Sequence, residues 1–468
     1  MRNHAVLLVV LLCTLGRLSA ADRPPNIVIV FFDDLGWGDL GVFGAKQIRT
    51  PNIDRLASEG TRFTSFYVSQ PVCSASRASL LTGCYANRIG IHGALFPGAL
   101  TGIHGRESTL AEVLKARGYA TGMVGKWHLG SQREFLPVRH GFDDYLGLPY
   151  SNDMWQNPPT TKPGSYPPLP LIDGDHVVET QPDQRFLTER YTRRAVDFID
   201  RHRDSPFFLY VAHSMPHVPL HVNPRRQNRS AAGVYGDVIE ELDESVGVLM
   251  EALRRNGLED DTWVVITSDN GPWLSYGNHA GSAGPFREGK GTVYEGGVRV
   301  PCVMRWPGRI PAGRSCNEPL MTIDLLPTIA HRVGATLPEN QIDGHNVWPV
   351  VNGTGPGPDR TYWFYYLQNQ LQAVRRGKWK LILPHRVGVL KGQPGGRDGK
   401  PVAYTQTKME LALYNLEADP GETLDRSQRN PRVLRRMLRE VELARQELGD
   451  SLTARSGSGT RDPGRSQP

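Results

Sequence analysis

The chain is 468 residues long, 39% hydrophobic and 22% charged, with 9 Trp, 16 Tyr and 14 Phe but only 5 Cys. This composition supports large cores, excludes a disordered, low-complexity or disulfide-framework protein, and with this length suits one large domain and a smaller companion. The 54 Lys and Arg exceed the 48 Asp and Glu to give a formal charge of +6, which argues for an anionic partner only if the excess can be located.

Arg2, the apolar run 5–15 and Leu18-Ser19-Ala20 follow the order of a secretory signal peptide, with cleavage expected after Ala20. The run falls short of the roughly 20 apolar residues that a membrane span needs, and no later segment supplies them. Leu12 before Cys13 argues against a lipoprotein anchor. The expectation is an exported protein, secreted or periplasmic, with no membrane span. Arg2 and Arg17 leave with residues 1–20, and Arg455, Arg461 and Arg465 face only Asp462 in the Gly/Ser/Pro-rich stretch 451–468, expected to be a disordered tail. Little of the excess remains for the body, and no nucleic-acid partner is expected.

In chain order, an apolar strand pattern at 26–32 ends in Asp33-Asp34, and a second at 63–69 leads into a helical stretch after Cys73. Residues 109–117 read as a helix, with Thr109 and Glu112 at capping-box spacing. Strand 120–125 ends in Lys126-Trp127-His128, and strand 207–212 ends in His213 and His217. After a helix marked by Val238, Ile239, Leu242, Val246, Leu249, Met250 and Leu253, strand 262–268 ends in Asp269-Asn270. Strands alternating with helices predict a mainly parallel α/β sheet, in which ligands bind beyond the carboxyl ends of the strands.

Taken singly, these endings have ordinary readings. Asp33-Asp34 suits a solvated turn, Asp269-Asn270-Gly271 suits a tight turn, and either His213 or His217 suits a hydrogen-bonded structural histidine. Together they place carboxylates, a lysine and histidines on one rim. Carboxylates converging there repel unless a cation joins them, and oxygen donors favour a hard ion, Ca²⁺ before Mg²⁺. Zinc is disfavoured, because no close His/Cys ligand spacing is present.

Cys73 is expected at a helix N-terminus with Arg77 one turn on, a setting that favours an anion and would lower a thiol pKa; the alternative is a buried, inert cysteine. The segment Cys73-Ser74-Ala75-Ser76-Arg77, followed by Leu81-Thr82-Gly83, resembles the signature of type I sulfatases, in which the cysteine becomes Cα-formylglycine before folding. The resemblance continues through Asp33-Asp34-Leu35-Gly36-Trp37-Gly38-Asp39, Gly125-Lys126-Trp127-His128-Leu129-Gly130 and the Pro216-His217-Val218-Pro219 element. Ser268-Asp269-Asn270-Gly271 and the Gly289 to Gly297 segment extend it across most of the chain. Cys84 departs from the arginine that often follows Leu-Thr-Gly in the family.

The resemblance implies an alkaline-phosphatase-like α/β/α sandwich over 21–345 and a smaller C-terminal antiparallel-sheet subdomain over 346–450. Its strands are expected at 363–366, 372–375, 379–383 and 413–415, before a helix at 433–448. It implies a formylglycine hydrate at position 73 that forms a covalent sulfate intermediate, Arg77 beside it, and His128 as the base that releases sulfate. Lys126, His217 and Lys290 match sulfate-contacting residues, with His217 or Lys290 as the acid for the leaving alcohol. Ser151 resembles a serine near the sulfate. Asp33, Asp34, Asp269 and Asn270, with an oxygen of residue 73, match the ligands of one Ca²⁺. A formylglycine-generating or anaerobic sulfatase-maturating enzyme is the implied biosynthetic partner. The substrate implied by the arylsulfatase A and N-acetylgalactosamine-6-sulfatase branch is an aryl sulfate or a sulfated saccharide, such as a 6-sulfated N-acetylgalactosamine or galactose. A phosphonate or phosphate monoester hydrolase of the same superfamily and a non-catalytic sulfated-glycan-binding protein are the competing readings. The loops 158–170 and 386–400 lie on the surface or line the cleft, and a Cys302–Cys316 pairing is left open.

Overall fold

The computed structural model describes residues 24–158 and 161–467, so the expected signal peptide lies outside the described residues. Five strands form the parallel centre of an 11-stranded sheet, in the order Thr262–Ser268, Asn26–Phe32, Phe207–Ala212, Ala120–Lys126 and Asp144–Leu148. The four strands whose polar endings stood out in the sequence are thus direct neighbours, and their carboxyl ends share one edge. Antiparallel additions flank this centre: Arg299–Arg305 and Thr61–Tyr67 on one side, Pro170–Asp173 and His176–Thr180 on the other.

The alternation of side chains along a strand divides the core in two. Ile27, Ile29 and Phe31 face one apolar layer with Ala75, Ala78, Leu80 and Leu81 of the Cys73–Thr82 helix, while Val28, Val30 and Phe32 face the other. That second layer is built by the Leu187–Arg201 and Gly233–Arg255 helices. The result is an α/β/α sandwich. The short Leu110–Lys115 helix begins as its spacing predicts, with Glu112 N–H donating to Thr109 Oγ1 at 3.2 Å and Thr109 N–H to Glu112 Oε2 at 2.7 Å.

A second, four-stranded antiparallel sheet runs Thr361–Tyr366, Gln370–Arg376, Trp379–Ile382, Ala412–Asn415, and the Pro431–Leu448 helix packs on it through Met437, Val441, Ala444 and Leu448. The segment between the Trp379–Ile382 and Ala412–Asn415 strands forms a hairpin that the sequence did not reveal, pairing His385–Val389 with Thr405–Met409. Residues 451–467 differ from the expected disordered tail. Gly464 and Arg465 pair with Gly102 and Thr101, and Arg461 grips Glu107 through two hydrogen bonds of 2.7 Å. Backbone pairing and one ion pair order a segment whose composition offers few apolar side chains. Cys302 and Cys316 are free thiols that oppose the same residue, Phe63, from strands on either side of it. Two strand spacings, about 10 Å, exceed the reach of a disulfide.

Buried charge fastens the small sheet to the sandwich. Lys380 Nζ lies 2.9 Å from Glu295 Oε1 and 3.0 Å from Glu422 Oε1, all three side chains are fully buried, and Tyr67 Oη donates to Glu295 Oε2 at 2.5 Å. Removing one member of such a network strands the others without solvent. Lys380→Met is expected to destabilise the protein by about 3–5 kcal/mol, read as a lower urea midpoint; an unchanged midpoint would show that the network does not hold the two sheets together.

Candidate active site

Each strand ending delivers its polar groups to one buried pocket edge. Asp33 and Asp34 follow Phe32, and Asp34 has φ 68°, a left-handed conformation that turns the chain sharply off the sheet. His128 does the same after Lys126, with φ 63°. Gly125, at φ 99°, brings the strand so close to Ala212 that a Cβ would sit 1.8 Å from that residue's carbonyl oxygen, so only glycine fits before Lys126.

Three carboxylates and three permanent cations interlock here. Arg77 donates through Nε and Nη2 to Asp269 Oδ2 at 3.1 and 2.8 Å and through Nη1 to the Lys126 carbonyl at 2.9 Å, and it lies 3.6 Å from Asp33 Oδ2. Lys126 Nζ sits 2.6 Å from Asp33 Oδ2 and 3.2 Å from Ser151 Oγ. Lys290 Nζ, over the Trp273 ring, reaches Asp34 Oδ1 and Oδ2 at 2.8 and 2.9 Å. His217 Nε2 stands 3.7 Å from Asp34 Oδ2, while Asn270 Nδ2 donates to Asp34 Oδ1 at 2.7 Å. The structure therefore brings together Asp33, Asp34, Arg77, Lys126, Ser151, His217, Asp269, Asn270 and Lys290. Cys73 opens the adjoining helix and lies in the electrostatic field of Lys126, Lys290, Asp33 and Asp269.

The donor set fits a divalent cation on two observations. Ligand atoms of Asp33, Asp34 and His217 fall within 4.8 Å of one another. Asp33 Oδ1 and Asn270 Oδ1 are also buried with no hydrogen-bond partner, two acceptor oxygens that a divalent cation would satisfy. Burial, then repulsion from Asp33, pushes the Asp269 carboxyl up to about 7, as expected where carboxylates crowd together short of positive charge.

Burial also pushes the Cys73 thiol up, outweighing Lys126 and Lys290, so the lowered thiol pKa expected from its helix position does not hold. The helix N-terminus is there, but the dry pocket disfavours a thiolate more than the local charge favours it. Burial first, and then the charges of Lys126 and Arg77, push His128 well below the usual histidine range. Its Nε2 faces the Leu95 carbonyl at 2.8 Å and its Nδ1 is buried without a partner, an arrangement in which Nε2–H donates and Nδ1 keeps a free lone pair. His213 stands apart as a structural residue, bonded through Nε2 to Ser245 Oγ at 3.2 Å and stacked on Phe32.

Some of the surroundings were not legible in sequence. The 386–400 segment lies along the rim, where Glu288, two residues before Lys290, accepts from the backbone N–H groups of Leu390 and Lys391. Beside His128, Phe96 stacks on Tyr166 of the proline-rich loop with ring centroids 6.4 Å apart. Cys84 has the Arg461 guanidinium of the C-terminal segment 3.5 Å from its Sγ.

An α/β/α sandwich with a buried cation-and-anion site at the carboxyl ends of its central strands has the layout of a hydrolase of anionic esters. The chain belongs to the sulfatase family: the family model described as Sulfatase matches residues 25–335, and one described as N-sulphoglucosamine sulphohydrolase, C-terminal, matches 286–446. It is 39% identical to human arylsulfatase A, over 95% of this chain and 92% of that protein. It is 38% identical to mouse N-acetylgalactosamine-6-sulfatase, over 89% and 84%. A sulfatase structure from Pseudoalteromonas sp. superposes with a TM-score of 0.79 at 27% identity, covering 90% of each chain. The fold is alkaline-phosphatase-like, and the protein is a sulfuric ester hydrolase acting on sulfated substrates.

Two outcomes follow from the site. Ca²⁺ at about 100 times its Kd is expected to stabilise the protein by about 2.7 kcal/mol, and Asp33→Asn to abolish that gain; equal thermal shifts in both would remove Asp33 from the ion site. Held below the usual histidine range, His128 stays neutral into acid; if it is the base that the family resemblance implies, the acidic limb of kcat is expected below the ordinary histidine pKa of about 6.5 and His128→Ala is expected to lower kcat by roughly 10²–10⁴-fold. A limb at or above that value would contradict the assignment.

Proposed function

We propose that the protein is an exported sulfatase of sulfated saccharides whose nucleophile is Cα-formylglycine made from Cys73. The observation that carries this reading is the position of Cys73 itself: first residue of a fully buried helix, facing Lys126 and Lys290, with its thiolate disfavoured. A buried thiol in a strongly polar pocket gains nothing from remaining a thiol. The hydrated aldehyde supplies two hydroxyls, one to displace the alcohol from sulfur and one whose deprotonation releases sulfate.

Each chain residue then has one task. Arg77 and Lys126, held by Asp269 and Asp33, bind and orient the group at position 73 and the sulfuryl oxygens. Ser151, hydrogen-bonded to Lys126, extends that oxygen-binding edge. His128 Nδ1 takes the proton whose loss frees sulfate. His217 and Lys290, converging on Asp34 beneath Trp273, face the leaving oxygen, and one of them protonates it. Donors of this kind are worth about 3–4 kcal/mol each, so the rate needs several together. Asp33, Asp34, Asp269 and Asn270 hold the divalent cation, and their oxygen chemistry favours Ca²⁺.

The likeness to N-acetylgalactosamine-6-sulfatases supports a sulfated hexosamine or galactose as the leaving alcohol. Exposed Phe96, which stacks on half-buried Tyr166 and follows the Leu95 whose carbonyl meets His128, supports a sugar face at the cleft mouth. Export through residues 1–20 would bring the protein to such substrates, and a formylglycine-generating or anaerobic sulfatase-maturating enzyme would act before folding closes the pocket.

Mass spectrometry of the Cys73 peptide, from protein made with that maturation machinery, tests the reading directly. An aldehyde or its hydrate is expected. Cys73→Ser is expected to keep the fold and lose turnover of an aryl sulfate; an unmodified thiol in active protein would overturn the proposal.

A further inference from the structure

The Pro431–Leu448 helix has two unlike halves. In its second half the charges are matched: Glu442 pairs with Arg445 and Arg455, and Glu447 with Arg88. Its first half and the turn before it carry Arg426, Arg429, Arg432, Arg435, Arg436 and Arg439 with no acid among them. Asp425 and Glu440, which bracket the run, are already engaged: Asp425 accepts from the Leu413 and Ser427 backbone N–H groups, and Glu440 binds Arg376 and Thr361. Among the described residues none of the six arginine side chains has an ion-pair partner.

At about 100° per residue, Arg432, Arg435, Arg436 and Arg439 form one stripe opposite Met437, Val441, Ala444 and Leu448, which are buried on the small sheet. All four are exposed. Like charges three and four residues apart repel, and Arg432 sits in the first turn, where the helix dipole opposes a cation. An ordinary solvated helix face would intersperse acids. This one concentrates positive charge at a cost to the helix and without using it for packing.

We propose that this stripe is a docking site for a sulfated polysaccharide chain, separate from the catalytic pocket. The choice of ligand rests on the saccharide-sulfatase reading. Guanidinium groups bind sulfate oxygens through paired hydrogen bonds, and an array of them on a straight rod matches a linear polymer with repeated sulfates. The other end of the helix lies toward the catalytic pocket. Tyr365 Oη donates to the Ala444 and Gly449 carbonyls, and Tyr366, the next residue, lies in the field of Lys290 and Cys73. From Leu448 back to Arg432 the helix rises about 24 Å. Only a polymer can occupy both places, so the stripe raises the local concentration of long substrates and does nothing for small ones.

Titration of the full-length protein with polymeric heparin over a range of salt tests this. In R432Q/R436Q/R439Q the affinity is expected to fall at least tenfold and the slope of log K against log salt to flatten by about one per arginine removed, with turnover of p-nitrophenyl sulfate unchanged and melting temperature no lower. R432K/R436K/R439K, which preserves charge and helix content, is expected to retain the salt slope. Wild-type affinity and slope in the glutamine variant would overturn the proposal. So would tighter binding, at the same salt, to phosphatidylserine vesicles or to single-stranded DNA than to heparin. Failure of the wild type to cleave p-nitrophenyl sulfate would count against the sulfatase reading and leave the heparin comparison intact.

Discussion

Everything at the catalytic rim depends on keeping three carboxylates and three fixed cations together out of water. Asp33, Asp34, Asp269, Arg77 and Lys126 are buried and Lys290 nearly so, and each ion would cost several kcal/mol to desolvate alone. Their pairing offsets that cost only because the geometry is tight. Arg77 uses Nε and Nη2 on one Asp269 oxygen and Nη1 on a backbone carbonyl, which leaves the guanidinium no freedom. The arrangement also leaves Asp33 Oδ1 and Asn270 Oδ1 buried without a hydrogen-bond partner, so the same rigidity that holds the ions prepares a place for one more.

The fold meets this constraint by drawing on every layer. Parallel strands deliver the carboxylates and Lys126, left-handed backbone at Asp34 and His128 re-aims them, and the Cys73–Thr82 helix presents Cys73 and Arg77 from the side. The segment from Gly289 to Gly297 links the site to the small sheet. It places Lys290 against Asp34 and, five residues later, Glu295 against Lys380. The second buried charge network is therefore also a positional anchor for the first, and the small sheet helps hold Lys290 in register.

Much of this was legible because the chemistry sits at strand ends. A continuous apolar strand, buried on both faces, followed by Asp-Asp, Lys-Trp-His or Asp-Asn fixes both the element and the edge to which its side chains go, and the four expected antiparallel strands of the C-terminal sheet appear with ends shifted by at most two residues. What escaped has a common cause. The thiol of Cys73 responds to desolvation, which depends on neighbours far away in sequence. The 451–467 segment is ordered by backbone pairing with Thr101 and Gly102 and by the Arg461–Glu107 ion pair, partners distant in sequence, and the 385–409 hairpin by main-chain hydrogen bonds between two short strands, of which Thr405–Met409 has no buried residue.

The charge excess takes on a different meaning once its parts are placed. At the rim the three cations are cancelled by three carboxylates, so the side chains alone offer an anionic ester hydrogen bonds but no net attraction. A divalent cation held by the rim carboxylates would make the pocket positive, yet a buried charge would act over short range and do little to draw a polymer from solution. The unbalanced charge lies on the outer face of the Pro431–Leu448 helix, exposed and uncancelled, where it can act across a Debye length of about 10 Å. Selection at the sulfur and capture of the chain are thus carried by different charges: one set neutralised, buried and exact in position, the other exposed, repetitive and indifferent to register.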